Sequence, residues 1–124
     1  MHFFVCKHCG NMVGFIHNSG VPIVCCGEQM TQLVPNTVEA STEKHLPDVT
    51  VSGDNLKVQI GSTPHPMGDD HYISFVYAET PKGGMRKNLA VGDDPKVSFA
   101  FSSDDKPIAV YAYCNLHGLW KTDI

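Results

Sequence analysis

The sequence predicts an all-β protein: a small cysteine-held unit followed by a β-sandwich or barrel. Beyond about residue 37 the chain consists of short runs rich in β-branched and aromatic residues, separated by turn-forming clusters. No segment of about ten residues or more carries a helical apolar stripe. Four of the five cysteines, Cys6, Cys9, Cys25 and Cys26, crowd into the opening stretch, and Cys114 stands alone near the end.

The elements follow in order. Val34 to Ser41 contains a proline among polar residues and reads as a connector, dividing the chain into domains of residues 1–36 and 37–124. An opening segment of about 35 residues buries too little apolar surface to fold alone, so a metal is expected to hold it together. Leu56-Lys57-Val58-Gln59-Ile60 alternates apolar and polar with period two, as a strand with one buried face does. Tyr72 to Tyr77, Val97 to Phe101 and Ile108 to Tyr113 are further strands, the last ending at Cys114. Ser52 to Asn55, Thr80 to Gly84, Gly92 to Pro95 and Ser102 to Pro107 supply the turns between them. Strands at this spacing suit a sandwich or barrel.

Composition narrows the function. Of 124 residues, 42% are hydrophobic and 18% charged, which is globular rather than disordered. Nine Lys+Arg against thirteen Asp+Glu leave a net charge of −4, which argues against a general binder of nucleic acid or anionic membranes. Apolar runs are only a few residues long, and Met1 to Lys7 lacks the basic-then-apolar order of a secretory signal, so neither a membrane span nor export is expected. Five cysteines cannot all pair within one chain. A reduced, cytoplasmic protein using thiolates as ligands is the better expectation.

Cys6-Lys7-His8-Cys9-Gly10 is a C-x-x-C knuckle, and Cys25-Cys26-Gly27 completes a set of four thiolates suited to tetrahedral zinc or a single iron. Gly10 and Gly27 let the backbone wrap the metal, where positive φ costs least. The adjacent pair Cys25-Cys26 departs from ordinary zinc ribbons and must splay its side chains. Gly10 after the C-x-x-C pair excludes c-type haem attachment, which requires His there.

A second constellation lies later. Cys114-Asn115-Leu116-His117-Gly118 follows a strand directly, and both donors reach one metal only if the chain turns after Cys114, for which Asn115 and Gly118 are suited. Pro64-His65-Pro66 holds His65 in extended backbone, His71 begins the next strand, and Glu43-Lys44-His45 sits just past the connector. Spacing alone does not bring these residues together. Taken singly, each histidine reads as a surface or satisfied core residue, and Cys114 as a buried small hydrophobe.

Cys6-Lys7-His8-Cys9-Gly10-Asn11, Cys25-Cys26-Gly27-Glu28, Glu43-Lys44-His45, His65-Pro66-Met67, His71 and Cys114 to Trp120 run in one order across nearly the whole chain. In these residues the sequence resembles desulfoferrodoxin, the two-iron superoxide reductase family with a desulforedoxin-like, rubredoxin-like N-terminal domain. The resemblance implies an Fe(Cys)4 centre on Cys6, Cys9, Cys25 and Cys26. It implies a catalytic Fe(His)4(Cys) centre on His45, His65, His71 and His117, with Cys114 as axial thiolate, in an immunoglobulin-like β-sandwich. Glu43 and Lys44 match the mobile pair beside the open iron position. The resemblance further implies superoxide as substrate, a rubredoxin-like electron donor and a homodimer. Superoxide reduction, O2•− + e− + 2H+ → H2O2, suits these ligands: four neutral imidazoles and one thiolate leave an Fe2+ site at +1, which attracts an anion. Lys44 is expected to steer it inward, and the axial thiolate to push electron density toward bound oxygen. Glu43 is expected to close the iron after oxidation. His2, His8 and His17 are read as solvated or as neighbours of the metal ligands, and Trp120 as packing beside the site. A zinc-knuckle binding module and a rubredoxin-type electron carrier are the rival readings. Both leave His45, His65, His71, His117 and Cys114 without a purpose.

Overall fold

The computed structural model describes Met1–Ile124 and divides it into two compact units, Met1–Val34 and Pro35–Ile124. In the first, β1 (Phe3–Val5) is central between β2 (Met12–Gly14) and β5 (Thr31–Leu33), while β3 (Val24–Cys25) and β4 (Glu28–Gln29) form a separate hairpin. Few residues here are buried, chiefly Phe3, Cys6 and Met30. That core is too small to sustain an independent fold without a cross-link or metal.

The second unit is a seven-stranded antiparallel sandwich. One sheet has the order β10 (Lys96–Ala100), β7 (Asn55–Ile60), β6 (Pro47–Ser52). The other runs β12 (Gly118–Asp123), β11 (Ala109–Cys114), β8 (Ile73–Thr80), β9 (Gly83–Asn88). The period-two alternation anticipated in β7 is present, with Leu56, Val58 and Ile60 buried and Lys57 exposed. These three pack with Ile73, Val76, Ala78, Val110, Ala112 and Phe99 in one core. Each large apolar side chain buried there contributes roughly 1.5–3 kcal/mol against leaving it in water. Thr122 Oγ1 donates to the Pro47 carbonyl oxygen (2.7 Å), tying an edge of one sheet to an edge of the other.

Topology sets where chemistry can occur. The start of β6, the end of β7, the start of β8, the end of β11 and the start of β12 share one pole, because Pro47 pairs with Ile60, and Cys114 pairs with both Ile73 and Gly118. The one helix, α1 (Thr42–His45), leads into that pole. At four residues it is too short to leave a stripe in the sequence. His71, expected to begin a strand, instead sits in a bend closed by reciprocal backbone bonds with Gly68, two residues before β8.

Gly61 is the hinge of this pole. Its φ of +79° favours glycine, its N–H donates to the Leu46 carbonyl oxygen (3.0 Å), and the next turn returns to α1 through Thr63 N–H on the Glu43 carbonyl oxygen (2.9 Å). A Cβ on Gly61 would run into the Thr63 carbonyl oxygen and lie within 2.7 Å of the Glu43 carbonyl oxygen, both backbone atoms. Gly61→Ala is therefore expected to destabilise the sandwich by more than about 1 kcal/mol. It should also lower metal occupancy at the histidine cluster, as read from urea midpoints and from metal analysis of the purified variant.

Candidate metal centres

The cysteine knuckle is built from two turns. Between β1 and β2, Cys6 N–H donates to the Asn11 carbonyl oxygen (2.8 Å) and Gly10 N–H to the Cys6 carbonyl oxygen (2.9 Å), with Gly10 at φ +82°. The N–H groups of Cys9 and Asn11 point at the sulfurs of Cys6 (3.5 Å) and Cys9 (3.4 Å). The second turn explains the adjacent pair. Cys25 pairs with Glu28, leaving Cys26-Gly27 as a two-residue hairpin loop with φ of +52° and +75°. Two consecutive left-handed residues make a type I′ turn. That conformation takes Cys26 out of strand alternation and turns its thiol to the same side as that of Cys25.

All four sulfurs lie within 4.8 Å of one another, and Cys9 Sγ and Cys25 Sγ are 3.6 Å apart. Tetrahedral ligands at about 2.3 Å from a metal stand about 3.8 Å from each other, so the cage has the size of a metal site. Its electrostatics point the same way. The Cys9 N–H holds the Cys6 thiol down to about 6, whereas the neighbouring Cys9 and Cys6 sulfurs push Cys26 up to about 12. One thiolate forms easily and the last resists, which is the behaviour of an anion cluster without its cation. All five cysteines of the chain are free of disulfides. His8 contacts the Glu28 carboxylate and does not enter the cage.

At the pole of the sandwich, four imidazoles form a closed circuit. Ring centroids are 4.7 Å apart for His45–His65, 4.4 Å for His65–His71, 5.0 Å for His71–His117 and 4.9 Å for His117–His45, and each pair is nearly perpendicular. The diagonal His45–His71 is longer, at 5.9 Å. The Cys114 thiol sits 3.2 Å from His71 Nε2 and 3.8 Å from His117 Nδ1, and the residue is fully buried. The turn foreseen after Cys114 is there: Gly118 adopts φ +78°, bringing His117 back over the strand end. Asn115 clasps the neighbouring loop, its Oδ1 accepting from Tyr72 N–H (2.8 Å) and its Nδ2 donating to the Asp70 carbonyl oxygen (2.9 Å). Sequence reasoning assigned Asn115 only to the turn; a short polar residue between two candidate donors was the signal for more.

The decisive feature is where the ring protons go. His45 Nδ1–H donates to the Ser41 carbonyl oxygen and His65 Nδ1–H to the Pro66 carbonyl oxygen, both at 2.6 Å. A neutral imidazole with its proton on Nδ1 has only a lone pair on Nε2. Yet the Nε2 atoms of His45 and His65 face each other at 3.3 Å, and His45 Nε2 lies 3.1 Å from His117 Nδ1. Protonating a ring is opposed, since burial lowers His45 and His71 and takes His65 down to about 4. Two lone pairs in contact need a cation between them. Donors at right angles, about 2.1 Å from a metal, would be about 3.0 Å apart, which these distances approach. Burial also raises the Cys114 thiol, opposed by the N–H groups of Leu116 and His117, so a cation must displace its proton. Glu43 and Lys44, exposed on α1, are not in the donor circuit; the Lys44 charge adds to the lowering of His45 and His71 behind burial. Trp120 is buried against His45, as anticipated.

Comparison with known proteins agrees with this geometry. The profile of the Desulfoferrodoxin family matches residues 37–123. A desulfoferrodoxin of Syntrophotalea carbinolica is 37% identical over 123 residues, covering 99% of this chain and 96% of the relative. The crystal structure of the superoxide reductase from Treponema pallidum superposes with a TM-score of 0.80 at 38% identity, covering 92% of this chain and 93% of that one. The 1Fe superoxide reductase from Giardia intestinalis superposes with a TM-score of 0.55 at 30% identity, and 66% of this chain covers 97% of it.

The depressed histidines give a pH dependence with a definite sign. His65 titrates at about 4 in the folded chain and near 6.5 when unfolded. The unfolded state therefore binds more protons between these values, and stability falls as pH drops from 6.5 toward 4. Metal-stripped protein should show a lower urea midpoint at pH 4.5 than at pH 7, and His65→Gln should narrow that difference.

Proposed function

This chain belongs to the desulfoferrodoxin family, and from that premise and the imidazole circuit we propose that it is a superoxide reductase, converting superoxide to hydrogen peroxide with one external electron and two protons. The observation that carries the reading is the pair of opposed Nε2 lone pairs of His45 and His65, closed into a circuit by His71 and His117 above a buried Cys114. Four neutral imidazoles and one thiolate would hold an iron ion, and when bound it supplies the single electron and a net charge of +1 for an anionic substrate. Cys6, Cys9, Cys25 and Cys26 would hold a second iron. We assign that one to holding the first unit together, with an optional role as electron reservoir. This assignment extends the unit Met1–Val34 into an iron domain and Pro35–Ile124 into the catalytic one.

The chain's own groups have defined tasks in this reading. The carbonyl oxygens of Ser41 and Pro66 fix the tautomers of His45 and His65, keeping the donor lone pairs inward. Burial opposes protonation of His45, His65 and His71, so these rings remain donors and do not compete as cations. Lys44, exposed beside His45, draws superoxide toward the circuit by long-range attraction in an otherwise acidic protein. Glu43, its neighbour on α1, would cap the site with its carboxylate between turnovers. An external rubredoxin-like donor, a homodimer and a cytoplasmic setting complete the reading. Five cysteines without a disulfide favour a reducing compartment. No helix of the chain is long and apolar enough to cross a membrane.

The test is stoichiometric. Purified protein should contain two irons per chain and, with a reductant supplied, form one peroxide per superoxide consumed. A ratio near one half regardless of reductant is the signature of dismutation and defeats the reading, as does one zinc with no colour. Lys44→Ala should slow the reaction with superoxide at low ionic strength and flatten its salt dependence. Unchanged rates at low salt would remove Lys44 from steering.

A further inference from the structure

Trp120 is the only tryptophan and is 2% exposed. It stands on β12 opposite Ala112, and its side chain turns inward to the pole. Two contacts set it apart from the other core aromatics. Its ring stacks on His45, with centroids 4.9 Å apart and planes at 28°. Its Nε1–H donates to the His117 carbonyl oxygen at 3.2 Å. One rigid side chain thus touches the face of one imidazole and the backbone that carries the next one in the circuit.

These two histidines are 72 residues apart in the chain and belong to different elements, α1 and the β11–β12 turn. His45 is held along its edge by the Ser41 carbonyl oxygen. That bond fixes the direction of Nε2 but leaves the ring free to rock about it. A flat indole against the face removes that freedom. His117, on a turn, has its backbone pinned by the indole N–H. The stack also has an electrostatic sense: an imidazole giving its lone pair to a cation becomes electron-poor, and the electron-rich indole face favours that state over the free one.

We propose that Trp120 is a positioning residue for the histidine–cysteine centre, setting the aim of His45 Nε2 and His117 Nδ1 so that metal binds tightly there. The proposal rests on the reading that these atoms are metal donors, and it extends that reading to a residue that is not itself a donor. Groups in contact with ligands are worth about 10–100-fold in metal affinity where they orient the donor. Trp120→Phe keeps a stacking face and loses the N–H, whereas Trp120→Leu loses both.

The experiment uses the full chain, with cobalt(II) as probe, and measures affinity at each centre by competition with a chelator. Thermal stability is recorded with and without metal. Trp120→Leu should weaken cobalt binding at the histidine–cysteine centre by about 10-fold or more and Trp120→Phe by less, with the four-cysteine centre unchanged as an internal control. The stabilisation that metal confers should shrink in both variants. A residue that merely fills the core would lower stability equally with and without metal. Affinity within twofold of the parent in both folded variants overturns the proposal, and if Trp120→Leu fails to fold, Trp120→Phe decides alone. The underlying reading fails in a different way: the parent itself would bind no cobalt outside the four-cysteine centre, and His45→Ala would change nothing.

Discussion

Everything at the pole of the sandwich depends on a shortage of protons. Two buried imidazoles spend their only N–H groups on the Ser41 and Pro66 carbonyl oxygens and then turn bare lone pairs toward each other. Packing alone does not favour this arrangement, because the lone pairs repel and burial forbids the protonation that would relieve them. A cation resolves the conflict. The fold is consequently organised to hold donors where they would not choose to stand, and the cost is met by the sandwich core, the Gly61 hinge and the Asn115 clasp. The knuckle obeys the same logic with sulfur: one thiolate that forms readily and one that resists, crowded around a common point.

The sandwich delivers these donors by topology, without any long structured insert. Antiparallel strands return every second chain end to the same pole, so segments separated by 20, 43 and 72 residues meet there. A rigid strand end carries Cys114, while α1, the β11–β12 turn and the loops before β8 carry the histidines. Such a division gives a sulfur donor fixed by the core and nitrogen donors adjustable by their backbone partners. It also explains why the exposed pair Glu43 and Lys44 can sit on α1 beside the circuit without entering it. Their positions are set by the helix that carries His45, so charge and donor are delivered together.

The sequence made much of this legible, unevenly. β7 could be read because its one-sided burial writes Leu56, Val58 and Ile60 at period two. β9 could not, since Gly83-Gly84-Met85-Arg86-Lys87-Asn88 has little intrinsic strand preference and is an edge strand formed against β8. β6, which begins at Pro47, a residue tolerated at the first position of an edge strand, was not among the strands read from the sequence. The knuckle was visible as a composition anomaly because its donors are close in sequence. The circuit was not, because spacings of 20, 6 and 46 residues between His45, His65, His71 and His117 encode no geometry by themselves. There, resemblance supplied what physics alone could not. The tautomers of His45 and His65 lay beyond both, since they depend on carbonyl groups whose direction is fixed only by the folded backbone.

The two centres differ energetically. The knuckle unit has almost no core, so a metal held there would contribute to folding itself, as in other small metal-held domains. The sandwich has a full core and would fold around an empty circuit, at the expense of opposed lone pairs and a buried thiol. Metal at the knuckle is thus coupled to whether the unit exists. Metal at the circuit is coupled to the aim of a few side chains in a unit that exists already. A site of the second kind can retain an open face and adjustable electronics, because stability does not require it to be saturated with protein ligands. That freedom is what a centre needs if it is to bind a small anion and release a product, and a cage whose four donors are all committed to holding its unit together does not have it.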